Sequence, residues 1–311
     1  MYNIICVPFA YDPSLRSGVN TSETTEKIGL YLKNACVALV SAKFYNPNCD
    51  VVFASNLDIS ELPDCIAEIF AKNDIRFVHV PFSDFLFDKE YLWGLAFYKL
   101  CVLKFFVAEG FDNFCFFDTD VYIQKSLDSI WKEVQENILL LDINHGLDTN
   151  NYRIFCDEIR QFLGRESYIT HYGGEMFAAS HPLAKEFSLC TEEIYSEMIS
   201  RKFVTSRGDE FISSLAAYKM KGKIKNAGAY IYRFWTGPNF RLVSSCYKFN
   251  MVSILHVPAE KNHGMLMLFD KYISRGIVPP NDKVWKILRL SRMPIKDYAV
   301  VFVKNILKLF S

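Results

Sequence analysis

Alternation is what most restricts the fold of this chain. Short β-prone apolar runs at 4–7, 50–54, 75–80 and 114–117 are separated by stretches at 21–45, 61–72 and 90–109 whose apolar residues recur every three to four positions. Thr21 or Ser22 can cap the first of these stretches, with Glu23 and Glu26 in its opening turn; Pro63 lies near the start of the second, and Gly110 ends the third. Strands alternating with helices predict an α/β domain: a mostly parallel central sheet flanked by helices. The second half is less regular. Runs at 138–143, 172–179, 229–234 and 252–257 read as strands, 183–202 and 211–221 as helices, and 144–170 as mixed polar structure. No repeat, low-complexity tract or linker interrupts the chain before about residue 282. One domain over 1–282, followed by a distinct tail over 283–311, is the expected organisation.

Half of the 311 residues are hydrophobic, which is ample for a large core. Basic and acidic residues both number 35, so the chain lacks the excess positive charge of a nucleic-acid binder. The balance is local, however: 283–311 holds seven basic residues and one acidic residue. Its lysines and arginines alternate with Val284, Trp285, Ile287, Leu288, Leu290 and the run 299–303, the pattern of a helix lying on an anionic bilayer. The nine cysteines are scattered, with no C-x-x-C pair, and read as buried free thiols of a reducing compartment. The first residues show no secretory leader, and no apolar run reaches about 18 residues. A cytoplasmic protein, attached peripherally to the inner face of the plasma membrane, is expected; nothing in the sequence bears on its oligomeric state.

Within this frame one segment carries chemistry. Phe114–Phe117 runs straight into Asp118-Thr119-Asp120, and apolar sequence resumes at Val121. Carboxylates bordered by buried aromatics are costly without a compensating cation, and a hard divalent ion bridging a phosphate is the usual one. The segment resembles the Asp-x-Asp signature of nucleotide-sugar-dependent glycosyltransferases of the GT-A fold. That resemblance implies Mn²⁺ or Mg²⁺ at Asp118 and Asp120, with Asp118 also reaching the ribose, and a Lewis acid offsetting charge on a departing nucleoside diphosphate.

Further motifs follow in the same order as in such enzymes. Leu255-His256-Val257-Pro258-Ala259-Glu260-Lys261-Asn262 resembles the His…Lys element of glycogenin and bacterial lipooligosaccharide galactosyltransferases, although no Lys-Pro-Trp follows, and it also resembles the metal-binding His segment of β-1,4-galactosyltransferases. By that likeness His256 is a third metal ligand and Lys261 a diphosphate contact; His263 is a rival ligand. Tyr172-Gly173-Gly174-Glu175 resembles the strand edge beneath the donor sugar. Gly208-Asp209-Glu210 resembles the acidic motif that binds the acceptor hydroxyl, with Asp209 or Glu210 as the base of an inverting enzyme. A retaining enzyme would instead present a group such as Glu175 on the donor face. The acidic residues are less dense than in β-1,4-galactosyltransferases, which leans toward retention. Pro8-Phe9-Ala10-Tyr11 resembles the uridine-contacting segment of galactosyltransferases, and Tyr98-Lys99-Leu100 resembles a Tyr-x-Arg-Leu element with Lys in place of Arg.

Together these imply transfer of a hexose or N-acetylhexosamine from a UDP-sugar to a hydroxyl of a bacterial surface glycan (lipopolysaccharide, O-antigen or capsule) on a lipid-linked acceptor. Two other classes fit parts of the pattern. A nucleotidyltransferase-like enzyme also pairs aspartates, but no Gly-rich phosphate loop is present. A carbohydrate-binding protein would account for the aromatics but not for Asp118, Asp120 and His256 together.

Overall fold

The computed structural model describes residues 2–14, 24–88, 91, 93–144, 150–236 and 249–291, with 295, 299, 300, 302, 303 and 306 beyond them. The proposed caps Thr21 and Ser22, with Cys246, Arg292, Lys296, Lys304 and Lys308, lie outside the described residues.

In chain order the elements are β1 (Asn3–Phe9), α1 (Thr24–Tyr45), β2 (Asp50–Ser55), α2 (Asp64–Lys72), β3 (Ile75–His79), α3 (Tyr98–Glu109), β4 (Asn113–Phe117), β5 (Val121–Ile123), α4 (Asp128–Glu133), β6 (Ile138–Asp142), α5 (Asn150–Leu163), β7 (Tyr172–Ser180), α6 (His181–Ser200), α7 (Asp209–Lys219), β8 (Ile224–Asn226), β9 (Ile231–Arg233), β10 (Ile254–His256), α8 (Gly264–Lys271) and α9 (Asn281–Ile287). Among the described residues, seven strands form the main sheet in the order β3-β2-β1-β4-β7-β6-β8. The pairs from β3 to β4 are parallel, as is β6 with β8, while β7 runs antiparallel to both its neighbours.

Period-two alternation places the core on both faces of this sheet. Ile5, Val7 and Phe9 of β1 join one apolar cluster with α1, α2, α8 and α9, whereas Ile4 and Cys6 join a second with α3, α5, α6 and α7. A small sheet, β5-β10-β9, adjoins the first cluster.

The structure corrects several expectations. The helix expected over 90–109 opens with a 3-10 turn at Gly94–Phe97 and becomes α-helical only at Tyr98; Gly94 is a poor helix former at its start. The polar stretch 144–170 contains α5, whose Tyr152, Phe155, Ile159 and Phe162 form a buried stripe at spacings of three and four. Strands β5 and β8 are three residues long, too short to display a period.

Part of the expected tail belongs to the body. Val284 and Leu288 are fully buried, and the Trp285 indole donates to Gln124 Oε1 at 2.7 Å. Among the described residues, no helix is long and apolar enough to cross a membrane. The eight described cysteines are unpaired, with Cys65 exposed and Cys156 and Cys190 half-buried.

Candidate active site

Strand register assembles the site. Strand β4 ends at Phe117, and the next amide, Asp118 N–H, donates to Glu175 O on β7 at 3.1 Å, so the Asp-x-Asp turn rests against the Gly-Gly-Glu strand. The chain turns at once into β5, where Val121 pairs with His256 of β10, and Val257 N–H donates to Asp120 O at 3.0 Å. A residue 136 positions downstream is thereby set beside Asp120. On the other side of β10, His256 pairs with Arg233 of β9. Partners in register on parallel strands share a face, so the imidazole and the guanidinium lie side by side.

Asp118, Asp120 and His256 each offer one ligand atom within 4.8 Å of the others. His256 Nε2 is 3.3 Å from Asp120 Oδ2 and 3.8 Å from Asp118 Oδ2. Both Asp120 oxygens are buried without an aligned hydrogen bond, although Lys261 Nζ also lies 3.3 Å from Oδ2. Unsatisfied buried carboxylate oxygens are costly, and two oxygen-bearing side chains with one imidazole suit a divalent cation. The donor set therefore fits the expected metal. Burial alone would push Asp120 upward, but Lys261 and His256 overcome it and hold the carboxyl well below its usual range. His256 is drawn down by burial and lifted more by Asp120 and Glu175, to about 9.

Lys99 is the second hub. Its ammonium is 2.7 Å from Asp118 Oδ1 and 3.6 Å from Asp209 Oδ2, and it donates to Gly174 O at 2.8 Å. It is not a solvated helix lysine, for its side chain is 16% exposed. Asp209 and Glu210 begin α7 and differ sharply. Burial, reinforced by the charges of Glu210 and Asp118 and only partly countered by Lys99, lifts Asp209 to about 7. Glu210 is held below its ordinary range, because His171 and Arg233 outweigh its desolvation. His171 Nε2 lies 3.0 Å from Glu210 Oε2, and its ring stacks on Phe155 at 4.3 Å.

The two glycines make room for charge. A Cβ on Gly173 would collide with the Glu175 carboxylate and lie 2.8 Å from Arg233 Nη2, whereas one on Gly174 would collide with Asp209 and stand 3.0 Å from Lys99 Nζ. Gly208, just before Asp209, has φ +61, a conformation L side chains rarely adopt.

The structure brings together Lys99, Asp118, Asp120, Gly173, Gly174, Glu175, Asp209, Glu210, His256 and Lys261. Pro8 and Phe9 are buried at the end of β1, Phe9 stacking between Tyr31 and Phe53, and the Tyr11 backbone is pinned by Asn56. His263 is exposed and outside the metal cluster. Three site residues escaped the sequence. Arg233 and His171 carried no motif. Tyr31, whose ring lies 5.5 Å from Lys261 Nζ and whose buried hydroxyl lacks a partner, was hidden in a helix.

No family model matches the sequence, and no curated protein matches it. Among solved structures, the bifunctional glycosyltransferase WbbM in its apo form superposes with a TM-score of 0.54 at 9% identity over 82% of this chain, which spans only 45% of WbbM. The galactosyltransferase LgtC, solved with donor and acceptor sugar analogues, gives 0.53 at 13% identity, covering 93% of this chain and 100% of its own. Mouse xyloside xylosyltransferase 1 gives 0.50 at 11% identity, over 82% of this chain and 96% of its own. The chain has the GT-A-type fold of these glycosyltransferases, a mixed α/β domain with a mostly parallel central sheet flanked by helices.

Proposed function

We propose that this chain is a metal-dependent glycosyltransferase that moves a hexose or N-acetylhexosamine from a UDP-sugar to a hydroxyl of a bacterial surface glycan or its lipid-linked precursor. The observation that carries this is the convergence of Asp118, Asp120 and His256, flanked by Lys99 and Lys261, at the carboxyl end of a parallel strand, where α/β sheets bind ligands. Asp118, Asp120 and His256 would hold the cation. A bound Mn²⁺ or Mg²⁺ supplies Lewis-acid neutralisation of a leaving diphosphate.

The chain's own groups account for the rest. Lys261 and Lys99 offer ammonium charge to phosphate oxygens on either side of the Asp-x-Asp turn. Asp209 is the group suited to accept the acceptor's hydroxyl proton, which is the role of the base in an inverting enzyme and sets aside the lean toward retention: a carboxyl titrating near 7 combines availability as a base with basicity. Glu210 is already committed to His171 and, at 3.5 Å, to Arg233, so it serves as a fixed negative charge beside Asp209. Glu175 is fully buried with both oxygens held by Arg233, and we take it out of the set of groups that meet the sugar.

The test is a thermal shift with UDP, with and without Mn²⁺. A rise in melting temperature that requires both is expected, since a ligand bound only by the folded chain stabilises it. No response to UDP, GDP or CMP would oppose a nucleotide-dependent enzyme and favour a carbohydrate-binding protein. A screen of nucleotide sugars for slow hydrolysis then identifies the donor.

A further inference from the structure

We propose that Glu175 and Arg233 are a positioning pair for His256, setting how tightly the site grips its cation without touching the sugar. The inference rests on the cation site proposed above.

Glu175 is an acidic residue in a strand whose other residues from Gly173 to Ser180 are all buried. An ionised carboxylate there is sustainable only with a partner of excellent geometry. Arg233 supplies it as a two-pronged grip, Nε to Oε1 at 2.8 Å and Nη2 to Oε2 at 2.6 Å. Replacing such a pair by apolar residues is often neutral for stability, so its presence calls for a second reason.

Position gives that reason. Glu175 Oε1 is 3.4 Å from His256 Nδ1, while Nε2 on the opposite edge of the ring faces Asp118 and Asp120. Nδ1 is buried and has no aligned hydrogen bond, so the Glu175 carboxylate at 3.4 Å is the charged group that faces it. A carboxylate behind a ligating histidine fixes the tautomer and the ring plane, leaving Nε2 free to coordinate. The same residue, through its backbone carbonyl, accepts the Asp118 N–H. Glu175 thus holds two of the three ligands from behind. Arg233 is oriented by the β9–β10 register that sets it beside His256, and Gly173 leaves the space the pair occupies. Arg233 Nη2 also reaches Glu210 Oε1 at 3.5 Å, so the charged line continues to the acceptor side.

The experiment titrates Mn²⁺ into the full chain in the presence of UDP, reading free Mn²⁺ by electron paramagnetic resonance, with thermal melts in parallel. Variants are Glu175→Gln and the double Glu175→Met/Arg233→Met. The double variant should melt within a few degrees of wild type yet bind Mn²⁺ about 10–100-fold more weakly, the usual effect of losing an outer partner of a metal-bound histidine. The near-isosteric Gln variant, which guards against a double variant that does not fold, should weaken binding about tenfold by the same argument. Wild-type Mn²⁺ affinity in either folded variant would reduce the pair to packing and overturn the proposal. Absence of Mn²⁺ binding by the wild-type chain would remove the cation site itself, and this inference with it.

Discussion

At the scale of single residues, the site works by pairing groups whose surroundings drive them apart. Asp209 and Glu210 are neighbours in sequence, yet one is lifted to about 7 by burial and nearby negative charge while the other is held ionised by His171 and Arg233. If Asp209 takes the acceptor's proton, turnover should climb as pH rises through about 7, and Asp209→Asn should abolish both the activity and the climb. A pH profile of initial rate checks this, and a flat profile from 6 to 8 would remove Asp209 from the role. Stability moves the opposite way. A carboxyl raised from its ordinary 3.8 contributes stability that is complete below about pH 4 and is lost as pH rises through about 7. The metal-free wild type should therefore lose melting temperature relative to Asp209→Asn across that window.

At the scale of elements, the three-residue strands do more than their length suggests. Val121, His256 and Arg233 form one rung of the small sheet, and that rung brings the imidazole, the Asp-x-Asp turn and the guanidinium together. The turn after β10 is tied down separately. Glu260 is fully buried and is reached by Arg289 Nε and Nη2 at 2.7 Å, by the Gly264 amide at 3.2 Å and by the Thr236 hydroxyl. Arg289 thus anchors the loop that carries Lys261. Arg289→Ala would leave a buried carboxylate uncompensated and should cost about 3 kcal/mol, seen in urea melts, with Arg289→Ala/Glu260→Gln recovering part of it. A cost below 1 kcal/mol would mean that the loop does not depend on this anchor.

Much of this was legible in the sequence, and the reasons for the remainder are physical. The parallel core strands announced themselves as apolar runs, and the turn at 118–120 as a pair of carboxylates between them. His256 and Lys261 were suggested by the resemblance of 255–262 to a His…Lys element. Arg233 could not be found this way, because a lone arginine at the end of a three-residue strand acquires meaning only from the register that sets it beside His256. Helix α5 was obscured by polar residues on its outer face, although its buried stripe was present in the order of its residues.

At the scale of the whole molecule, the chain divides according to what its basic C-terminal residues touch. Helix α9 and Arg289 are built into the body, so any membrane-attaching segment is proposed to begin beyond Ser291 rather than at 283. Ile295, Phe302 and Val303 beyond that point are 84%, 67% and 53% exposed. Four further basic residues follow Ser291 in the sequence, each worth about 1 kcal/mol near an anionic surface. A chain lacking 295–311 should melt like the intact protein but no longer sediment with phosphatidylglycerol vesicles, and unchanged sedimentation would place attachment elsewhere.

The proposed chemistry requires that Asp118, Asp120 and His256 share one ion. Crystals grown with Mn²⁺ and UDP, measured at the manganese absorption edge, address this directly. A single anomalous peak within coordinating distance of all three side chains, with the diphosphate against it, is the predicted result. A bound nucleotide with no peak there, or with manganese held away from the His256 ring, would contradict it.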